Sequence, residues 1–272
     1  MKLRLGILQT TTGIDPAAEA QALTTGIAAL AGDGAQIVFT PEMSGLLDKD
    51  RRRAWGNVRS EAEDAVLAAV RDAARAHKVW VHLGSLALAL EGDLLANRGF
   101  LIDPAGDIRA RYDKIHLFDV TLAGGESYRE SAAYRPGEAA VVAATPWGPL
   151  GLTICYDVRF PALHRALAEA GAVMLAVPAA FTRPTGAAHW HVLLRARAIE
   201  TGSFVIAAAQ TGDHADGRAT YGHSLVISPW GDVLLDMGEA PGRAILEIDL
   251  GEVAQARGRV PALTHARGFT AP

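Results

Sequence analysis

The amino-acid sequence predicts an α/β fold, a four-layer α-β-β-α sandwich made of two similar halves. Short apolar runs alternate with longer helix-like segments along the 272 residues, and this alternation starts again near residue 148. Gly34-Ala35 is followed by five residues and Pro41, and Gly171-Ala172 is followed by five residues and Pro178. A sheet with helices on one face leaves its other face bare, so we expect the two halves to pack with their bare faces together.

A second match supports this internal repeat. Phe100-Leu-Ile-Asp-Pro-Ala-Gly-Asp107 resembles Leu225-Val-Ile-Ser-Pro-Trp-Gly-Asp232, and both matches occur in the same order within their halves. We therefore expect residues 1–272 to form a single domain.

The first half opens with a predicted strand over 3–9. Asp15-Pro16 then supplies an N-cap and a first-turn proline for an Ala-rich helix that ends near Gly32. A buried strand over 36–40 follows and stops at Pro41-Glu42. The first three elements therefore have the order strand, helix, strand.

The next helix is predicted from a capping signal. Residues 45–59 show no clear pattern and receive no predicted structure. Ser60-Glu61-Ala62-Glu63 has the pattern of a capping box, which predicts a helix from there through Lys78. Its apolar residues share one helical face: Val66, Leu67, Val70, Ala73 and Ala74.

The rest of the chain continues the alternation around a long polar loop, predicted over about 113–138. The other predicted strands are 79–86, 98–103, 107–112, 148–154, 172–177 and 203–210, with a final pair around 229–232. The other predicted helices are 161–170 and 187–201.

Composition excludes several classes of function. The net charge is -4 and 50% of the residues are hydrophobic, which fits neither a nucleic-acid-binding surface nor a disordered chain. The apolar run 172–181 contains Pro178 and is too short to span a membrane. A single cysteine cannot form an internal disulfide, and residues 1–7 lack the apolar core of a signal peptide, so we expect a cytoplasmic protein.

Cys155 is the only cysteine, and it follows the apolar run 148–154. We expect it at the C-terminal end of a strand, where ligands bind in open α/β sheets. The N–H groups of the turn that follows can lower the pKa of a thiol and stabilise an anion. A free cysteine is also often inert packing, and position alone does not decide between these interpretations.

Three more polar residues are candidates for catalysis, two of them after predicted strands and one in the polar loop. Glu42 follows a buried strand and a proline, which favours a partly desolvated carboxylate suited to a general base. Lys114 ends the strand 107–112, and Glu130 lies in the polar loop. Each alone is equally consistent with a capping or solvated side chain. With Cys155 they form a coherent set, because an ammonium favours the thiolate and stabilises an oxyanion when sulfur attacks a carbonyl.

Three blocks carry a family resemblance: Phe39-Thr-Pro-Glu42-Met, Arg111-Tyr-Asp-Lys114-Ile-His-Leu-Phe-Asp119 and Leu152-Thr-Ile-Cys155-Tyr-Asp-Val-Arg-Phe-Pro161. In order and spacing they resemble the signature blocks of the nitrilase superfamily, the carbon–nitrogen hydrolases. The resemblance implies the α-β-β-α sandwich and a Glu-Lys-Cys triad without metal or organic cofactor. It also implies three roles: Cys155 as nucleophile, Glu42 as general base and Lys114 as oxyanion stabiliser.

The resemblance extends to residues around the substrate. Glu130 matches a further glutamate that helps to orient the lysine and the substrate, and the N–H of Tyr156 matches a second oxyanion donor. Phe181, Thr182 and His189 lie in blocks similar to the Nit branch and are expected at the substrate. A symmetric homodimer is also implied, with the C-terminal tail, about 259–272, as a candidate for contact between the two copies.

The Nit branch contains amidases of deaminated glutathione and omega-amidases of 2-oxoglutaramate. The resemblance therefore implies hydrolysis of a small-molecule amide to ammonia and a carboxylate through a thioester, with deaminated glutathione as the first candidate. The chain departs from the branch at residues 123–127 and at His191, where members often have Glu. 2-Oxoglutaramate, another aliphatic amide and a nitrile remain open as substrates.

Two alternatives belong to other classes of protein. A metal-dependent phosphohydrolase on a similar sandwich would need an Asp/Glu/His cluster that the sequence does not present. His189 and His191, two residues apart on a predicted helix, do not face each other as a metal pair would. A non-catalytic interaction module would not need the set of Glu42, Lys114, Glu130 and Cys155.

Overall fold

The computed structural model describes residues 1–122, 125 and 127–270. The strands are β1 (Lys2–Gln9), β2 (Ile37–Phe39), β3 (Trp80–Ala89), β4 (Leu95–Ile102), β5 (Ile108–Asp113), β6 (Asp119–Thr121), β7 (Ser127–Arg129), β8 (Val141–Ala143), β9 (Leu150–Leu152), β10 (Met174–Ala176), β11 (Phe204–Ala207), β12 (Thr211–Asp213), β13 (Ala219–Tyr221), β14 (Leu225–Ile227), β15 (Val233–Asp236) and β16 (Gly242–Asp249). The α-helices are α1 (Pro16–Gly32), α2 (Arg51–Asn57), α3 (Ala65–His77), α4 (Pro161–Glu169), α5 (Arg183–Thr201) and α6 (Gly251–Arg259).

The two halves build sheets of the same design. The first six-stranded sheet has the order β16-β1-β2-β3-β4-β5, and the second has the order β8-β9-β10-β11-β14-β15. In each sheet three neighbouring parallel strands, β1-β2-β3 or β9-β10-β11, are flanked by antiparallel strands. This strand-for-strand equivalence confirms the predicted repeat.

Side-chain alternation along the strands produces the four layers. Phe39 of β2 belongs to a core cluster with Leu152 and Met174 of the second sheet. Its neighbour Val38 belongs to a different cluster, with Ile27 of α1. Successive residues of a strand point to opposite faces, so the first sheet packs on the second sheet with one face and on α1 and α3 with the other. Helices α4 and α5 pack against β9 and β11 of the second sheet.

Two helix starts differ from the prediction. The N-cap of α3 is Asp64, whose carboxylate accepts the N–H of Leu67 at 2.7 Å. Ser60 and Glu63 bond to each other through their side chains instead, so the predicted capping box is wrong. Helix α5 begins at Arg183 rather than near residue 187, with a proline in its first turn.

Several elements were not predicted: α2, α6, β8, the β12–β13 hairpin and β16. The predicted polar loop also contains the short pair β6 and β7. Strand β16 pairs with β1 along its whole length, from Asp249 opposite Lys2 to Gly242 opposite Gln9. No helix in the described part of the chain is long and apolar enough to cross a membrane.

Candidate active site

Strand ends from both halves meet between the two sheets. Glu42 is the third residue after β2, Cys155 is the third residue after β9, and Lys114 follows β5 directly. Strands β2 and β5 belong to the first sheet and β9 to the second, and the face-to-face packing brings their ends together. All three side chains are buried, with exposed fractions of 4% for Glu42, 2% for Lys114 and 8% for Cys155.

Lys114 lies at the centre of a buried polar cluster. Its Nζ donates to Glu42 Oε1 at 2.9 Å and to Glu130 Oε2 at 2.9 Å. Asn97 of β4, which is 1% exposed, donates from Nδ2 to the same two carboxylates at 2.9 Å and 3.1 Å. An ionised carboxylate accepts hydrogen bonds and cannot donate them, so the two acids fix the orientation of the amide.

The cluster contains two carboxylates and one ammonium. Burial alone would lower the pKa of Lys114, but the charges of Glu130 and Glu42 outweigh it and hold this pKa well above its ordinary value. Burial raises the pKa of the Cys155 thiol well above its ordinary value, and the charge of Glu42 raises it further. The expectation of a lowered thiol pKa is therefore wrong. A thiol at this site needs a base to accept its proton before sulfur can attack.

Cys155 adopts a left-handed backbone conformation, with φ of 52°. This conformation costs a non-glycine residue roughly 1–2 kcal/mol, so contacts nearby must hold it. The fully buried Asp157 supplies them: Oδ2 accepts the Ile154 N–H at 2.9 Å and the Tyr112 hydroxyl at 2.7 Å. Its Oδ1 accepts the N–H of His116 at 3.0 Å. Asp157 thus ties the cysteine turn to β5 and the segment after it.

The segment that carries Glu42 packs very closely on β3. A β-carbon at Gly84 would lie 2.2 Å from the carbonyl oxygen of Thr40 and 2.4 Å from that of Pro41, so only glycine fits there. On the other side, Glu42 Oε2 accepts the N–H of Ala180 at 2.9 Å. The carboxylate is therefore held by both halves of the molecule.

These groups line a cavity of about 420 Å³. Its larger apolar residues include Leu46, Leu47, Trp55, Phe118, Tyr128 and Phe181. Four basic residues also line it: Lys49, Arg51, Arg129 and Arg218. Asp48, an acid in the lining, is paired with Arg53 at 2.6 Å. Apolar walls with guanidinium groups suit an organic molecule that carries a carboxylate.

Most of the residues predicted for the site lie together. The cavity lining includes Glu42, Lys114, Glu130, Cys155, Tyr156, Phe181 and Thr182. His189 does not line it: this residue is exposed, and its Nδ1 lies 3.3 Å from Nη2 of Arg159. Thr185, in the first turn of α5, lines the cavity, and Trp190, the residue after His189, is buried. In the divergent loop, residues 123, 124 and 126 lie outside the described residues.

The arrangement of possible metal ligands bears on the phosphohydrolase alternative. Within residues 1–122, 125 and 127–270, one group of side chains is close enough to bind a metal ion: His191, His223 and Asp236. None of the three lines the cavity. In the part of the chain that the structure describes, the cavity therefore offers a thiol, an ammonium and carboxylates rather than a metal-binding cluster.

A four-layer α-β-β-α fold whose central cavity contains these groups defines the class of hydrolases that act on carbon–nitrogen bonds. The sequence matches the family described as carbon-nitrogen hydrolase over residues 4–258, and the chain belongs to that family. It is a hydrolase that acts on carbon–nitrogen bonds other than peptide bonds.

Three proteins illustrate the similarity. A deaminated glutathione amidase of Yersinia enterocolitica is 40% identical over 237 residues, which cover 86% of this chain and 82% of that protein. The crystal structure of Caenorhabditis elegans NitFhit matches with a TM-score of 0.90 and 36% identity, over 98% of this chain and 65% of that one. The amidase of Nesterenkonia sp. AN1, as a mutant with acrylamide added to its active site cysteine, matches with a TM-score of 0.80 and 27% identity, over 95% of this chain and 98% of that one.

Proposed function

We propose that this hydrolase is a cysteine-dependent amidase and that deaminated glutathione is its substrate. The observation that carries the proposal is the shared cavity of Cys155, Glu42 and Lys114, in which the ammonium contacts the carboxylate at 2.9 Å. The similarity to amidases of deaminated glutathione supports the choice of substrate. No cofactor enters the proposed reaction.

The proposed reaction begins at the protonated thiol. Glu42 accepts the proton of Cys155, and the sulfur forms a bond to the amide carbonyl carbon. The Lys114 ammonium and the N–H of Tyr156 stabilise the negative charge that develops on the carbonyl oxygen. Glu42 then gives its proton to the departing nitrogen, the carbon–nitrogen bond breaks, and a thioester remains.

The same carboxylate serves the second half of the reaction. Glu42 takes a proton from a water molecule, whose oxygen attacks the thioester carbon. Collapse of this intermediate breaks the carbon–sulfur bond, the thiol regains the proton, and the acid is released. In this mechanism Glu130 and Asn97 touch the general base or the ammonium and hold them in position.

The chemistry of the substrate determines the leaving group. Deaminated glutathione, as its name states, is glutathione without its amino group, and its amide bonds are secondary. Cleavage of such an amide releases an amine, whereas ammonia is the product of a primary amide such as 2-oxoglutaramate. The expected release of ammonia therefore applies to the alternative substrate, and an amine is the product to measure for deaminated glutathione.

The charges of the cavity wall favour a substrate with carboxylates. Nε of Arg218 donates to Asp216 at 2.6 Å, which fixes the guanidinium at the cavity wall. Guanidinium groups bind carboxylates with strong, charge-assisted hydrogen bonds. Deaminated glutathione carries one carboxylate at each end, so Arg218 could bind an end that lies remote from the scissile amide.

The proposal is tested with purified wild-type protein and the Cys155→Ser variant. Deaminated glutathione, 2-oxoglutaramate and a simple aliphatic amide are compared, with the new amine, ammonia and the 2-oxo acid measured separately. We expect a preference for deaminated glutathione that the variant loses. Thiol-dependent turnover of another amide alone would contradict the substrate, and equal rates in both proteins would contradict the mechanism.

We also propose that the chain forms a homodimer through the outer face of α5. Val192 and Ile199, seven residues apart on that helix, are 68% and 55% exposed. Trp230 and Val260 are also more than half exposed, and the guanidinium of Arg259 lies 5.7 Å from the Trp230 ring. Light scattering should give twice the mass of one chain. Ile199→Glu should give the mass of one chain, and the control Ala22→Glu, at an exposed position of α1, should not.

A cytoplasmic location stays part of this proposal, supported by the single free thiol.

A further inference from the structure

A surface cluster of two imidazoles and one carboxylate lies outside the catalytic cavity. His191 Nε2 lies 3.0 Å from Asp236 Oδ2, and His223 Nδ1 lies 2.9 Å from Asp236 Oδ1. One potential ligand atom from each of the three residues lies within 4.8 Å of the other two. We call these three residues the histidine cluster. The proposed reaction uses none of them.

The scaffold holds the three side chains in place before any ion binds. His191 belongs to α5, a helix of 19 residues, and Asp236 is the last residue of β15. His223 has a left-handed backbone with φ of 53°, and its N–H donates to the carbonyl oxygen of Gly238 at 2.7 Å. The N–H of Gly238 in turn donates to Asp236 Oδ1 at 2.9 Å. Ligands held by their neighbours bind a metal with a smaller loss of side-chain entropy.

The donor set selects the class of ion. Imidazole nitrogens suit zinc and its first-row neighbours, whereas magnesium and calcium prefer oxygen ligands. Three protein ligands are fewer than the four that complete a closed zinc site, so water would occupy the remaining position. The side chains are 33% exposed for His191, 19% for His223 and 35% for Asp236, which leaves a path for the ion.

We propose that the histidine cluster binds one zinc-type divalent ion through His191 Nε2, His223 Nδ1 and the Asp236 carboxylate. Each imidazole presents a nitrogen lone pair to the ion, and the hydrogen bonds between the histidines and Asp236 are replaced by bonds to the metal. The ion links α5, the loop after β13 and the end of β15.

Trp190 connects the histidine cluster to the cavity wall, so the ion should stabilise that wall. The indole N–H of Trp190, the residue before His191, donates to the carbonyl oxygen of His223 at 2.8 Å. The ring of Trp190 also packs on Phe181, which lines the cavity, with ring centroids 4.6 Å apart. Metal binding at the cluster should therefore stiffen the wall behind Phe181 without taking part in bond breaking.

Direct titration with zinc chloride tests the site in the Cys155→Ser protein, where the catalytic thiol cannot take the metal. Calorimetry and elemental analysis should give one zinc per chain. Asp236→Asn and His223→Gln should each weaken binding by at least about tenfold, because each removes a ligand. His189→Ala, which removes a histidine of the same helix outside the cluster, should bind zinc as the parent does. Equal zinc affinity in all four proteins, or no zinc bound by the parent, would overturn the site.

A second measurement remains valid if a variant is less stable. The melting temperature of the parent should rise by several degrees with excess zinc, because an ion that binds only the folded state stabilises it. His191→Gln, a change at a partly exposed helix position, should remove this rise while leaving the circular dichroism spectrum unchanged. Magnesium chloride should raise the melting temperature of neither protein. The same rise in His191→Gln as in the parent would show that the ion binds elsewhere.

Discussion

The two halves of the sandwich share a strand order but differ in chemistry at their strand ends. The first half supplies every charged group of the buried cluster, Glu42, Lys114 and Glu130, whereas the second supplies the thiol and the backbone N–H of Ala180. Glu42 is the third residue after β2, and the third residue after the equivalent strand β10 is Ala179. Equivalent backbone positions thus acquired different tasks, so the repeat determines where groups lie and residue identity determines what they do.

The charges of the first half also act on the thiol of the second. Burial is the main cause of the raised pKa of Cys155; the Glu42 carboxylate raises it further and the Lys114 ammonium lowers it. Because the effect of Glu42 is larger than that of Lys114, the first half adds to burial in keeping the thiol protonated.

The largest effect should follow removal of the one ammonium. Lys114→Met takes away the proposed oxyanion donor and leaves Glu42 and Glu130 buried without their cation. Loss of such a donor costs about 100- to 1,000-fold in rate, and breaking a buried ion pair destabilises by about 3–5 kcal/mol. Steady-state kinetics and urea unfolding measure the two losses. The control Lys2→Met, at an exposed ion pair with Glu247, should change neither the rate nor the stability. Near-normal turnover by Lys114→Met would contradict the proposed role of Lys114 as oxyanion donor.

The second-largest effect should follow a change of charge at Asn97. Asn97→Asp keeps the shape of the side chain but places a third carboxylate beside two others. Repulsion should disturb Glu42, and kcat should fall by more than about tenfold, equivalent to about 1.4 kcal/mol of barrier. Gln21→Glu, which adds the same charge at an exposed position of α1, is the control. Unchanged kcat in Asn97→Asp would mean that the amide does not position the base.

A change at Arg218 should affect substrate binding more than the chemical step. Arg218→Gln should raise KM for deaminated glutathione by about tenfold or more, the loss expected for a charge-assisted hydrogen bond of about 1.5–3 kcal/mol, with a smaller change in kcat. KM for a neutral aliphatic amide should not change. Arg183→Gln, at an exposed pair with Asp213, is the matched control. Equal increases in KM for both substrates would point to a general distortion of the cavity.

His82 in the first half and His164 in the second are buried and neutral, which predicts acid sensitivity in both halves. Burial lowers the pKa of His82 in β3 to about 3 and that of His164 in α4 to about 4, from 6.5. The unfolded chain binds these protons more readily, so stability is fully present above pH 6.5 and is lost as the pH falls towards 4. Each histidine should contribute up to about 1.4 kcal/mol per pH unit. Unfolding followed against pH should show smaller slopes for His82→Leu and His164→Leu, and an unchanged slope for exposed His77→Leu.

The smallest effect concerns the backbone at the cysteine. Glycine adopts the left-handed conformation without strain, so Cys155→Gly should be more stable than Cys155→Ala by about 1 kcal/mol, although both are inactive. Denaturant unfolding of the two variants measures the difference. Ser131 does not have a left-handed backbone, so Ser131→Ala should be more stable than Ser131→Gly. A less stable Cys155→Gly would mean that the turn carries no strain.

The sequence was sufficient to predict groups that lie at strand ends. Glu42, Lys114 and Cys155 are far apart in the chain, but each follows a predicted strand, and the topology of paired halves places such ends together. The sequence could not reveal Asn97, because a single amide within a strand looks like an ordinary solvent-facing residue. Only the packing of β4 shows that it points to two buried acids.

The errors have separate origins. His189 was expected at the substrate because its block resembles the Nit branch, but its side chain lies on the exposed face of α5 beside Arg159. Strand β16 was missed because its partner β1 lies at the other end of the chain, and pairing over that separation leaves no local signal. Asp157 was not singled out, because only the folded structure shows that its carboxylate organises the cysteine turn.

The raised pKa of Cys155 has a consequence for the resistance of the molecule to oxidants. Peroxides attack thiolates far faster than thiols, so a buried and protonated sulfur is a poor target. As the only cysteine of the chain, it also has no resolving partner with which to form a disulfide after a first oxidation. We therefore expect the thiol to be oxidised slowly, and a sulfenic acid formed here would need a thiol from outside the chain to restore it.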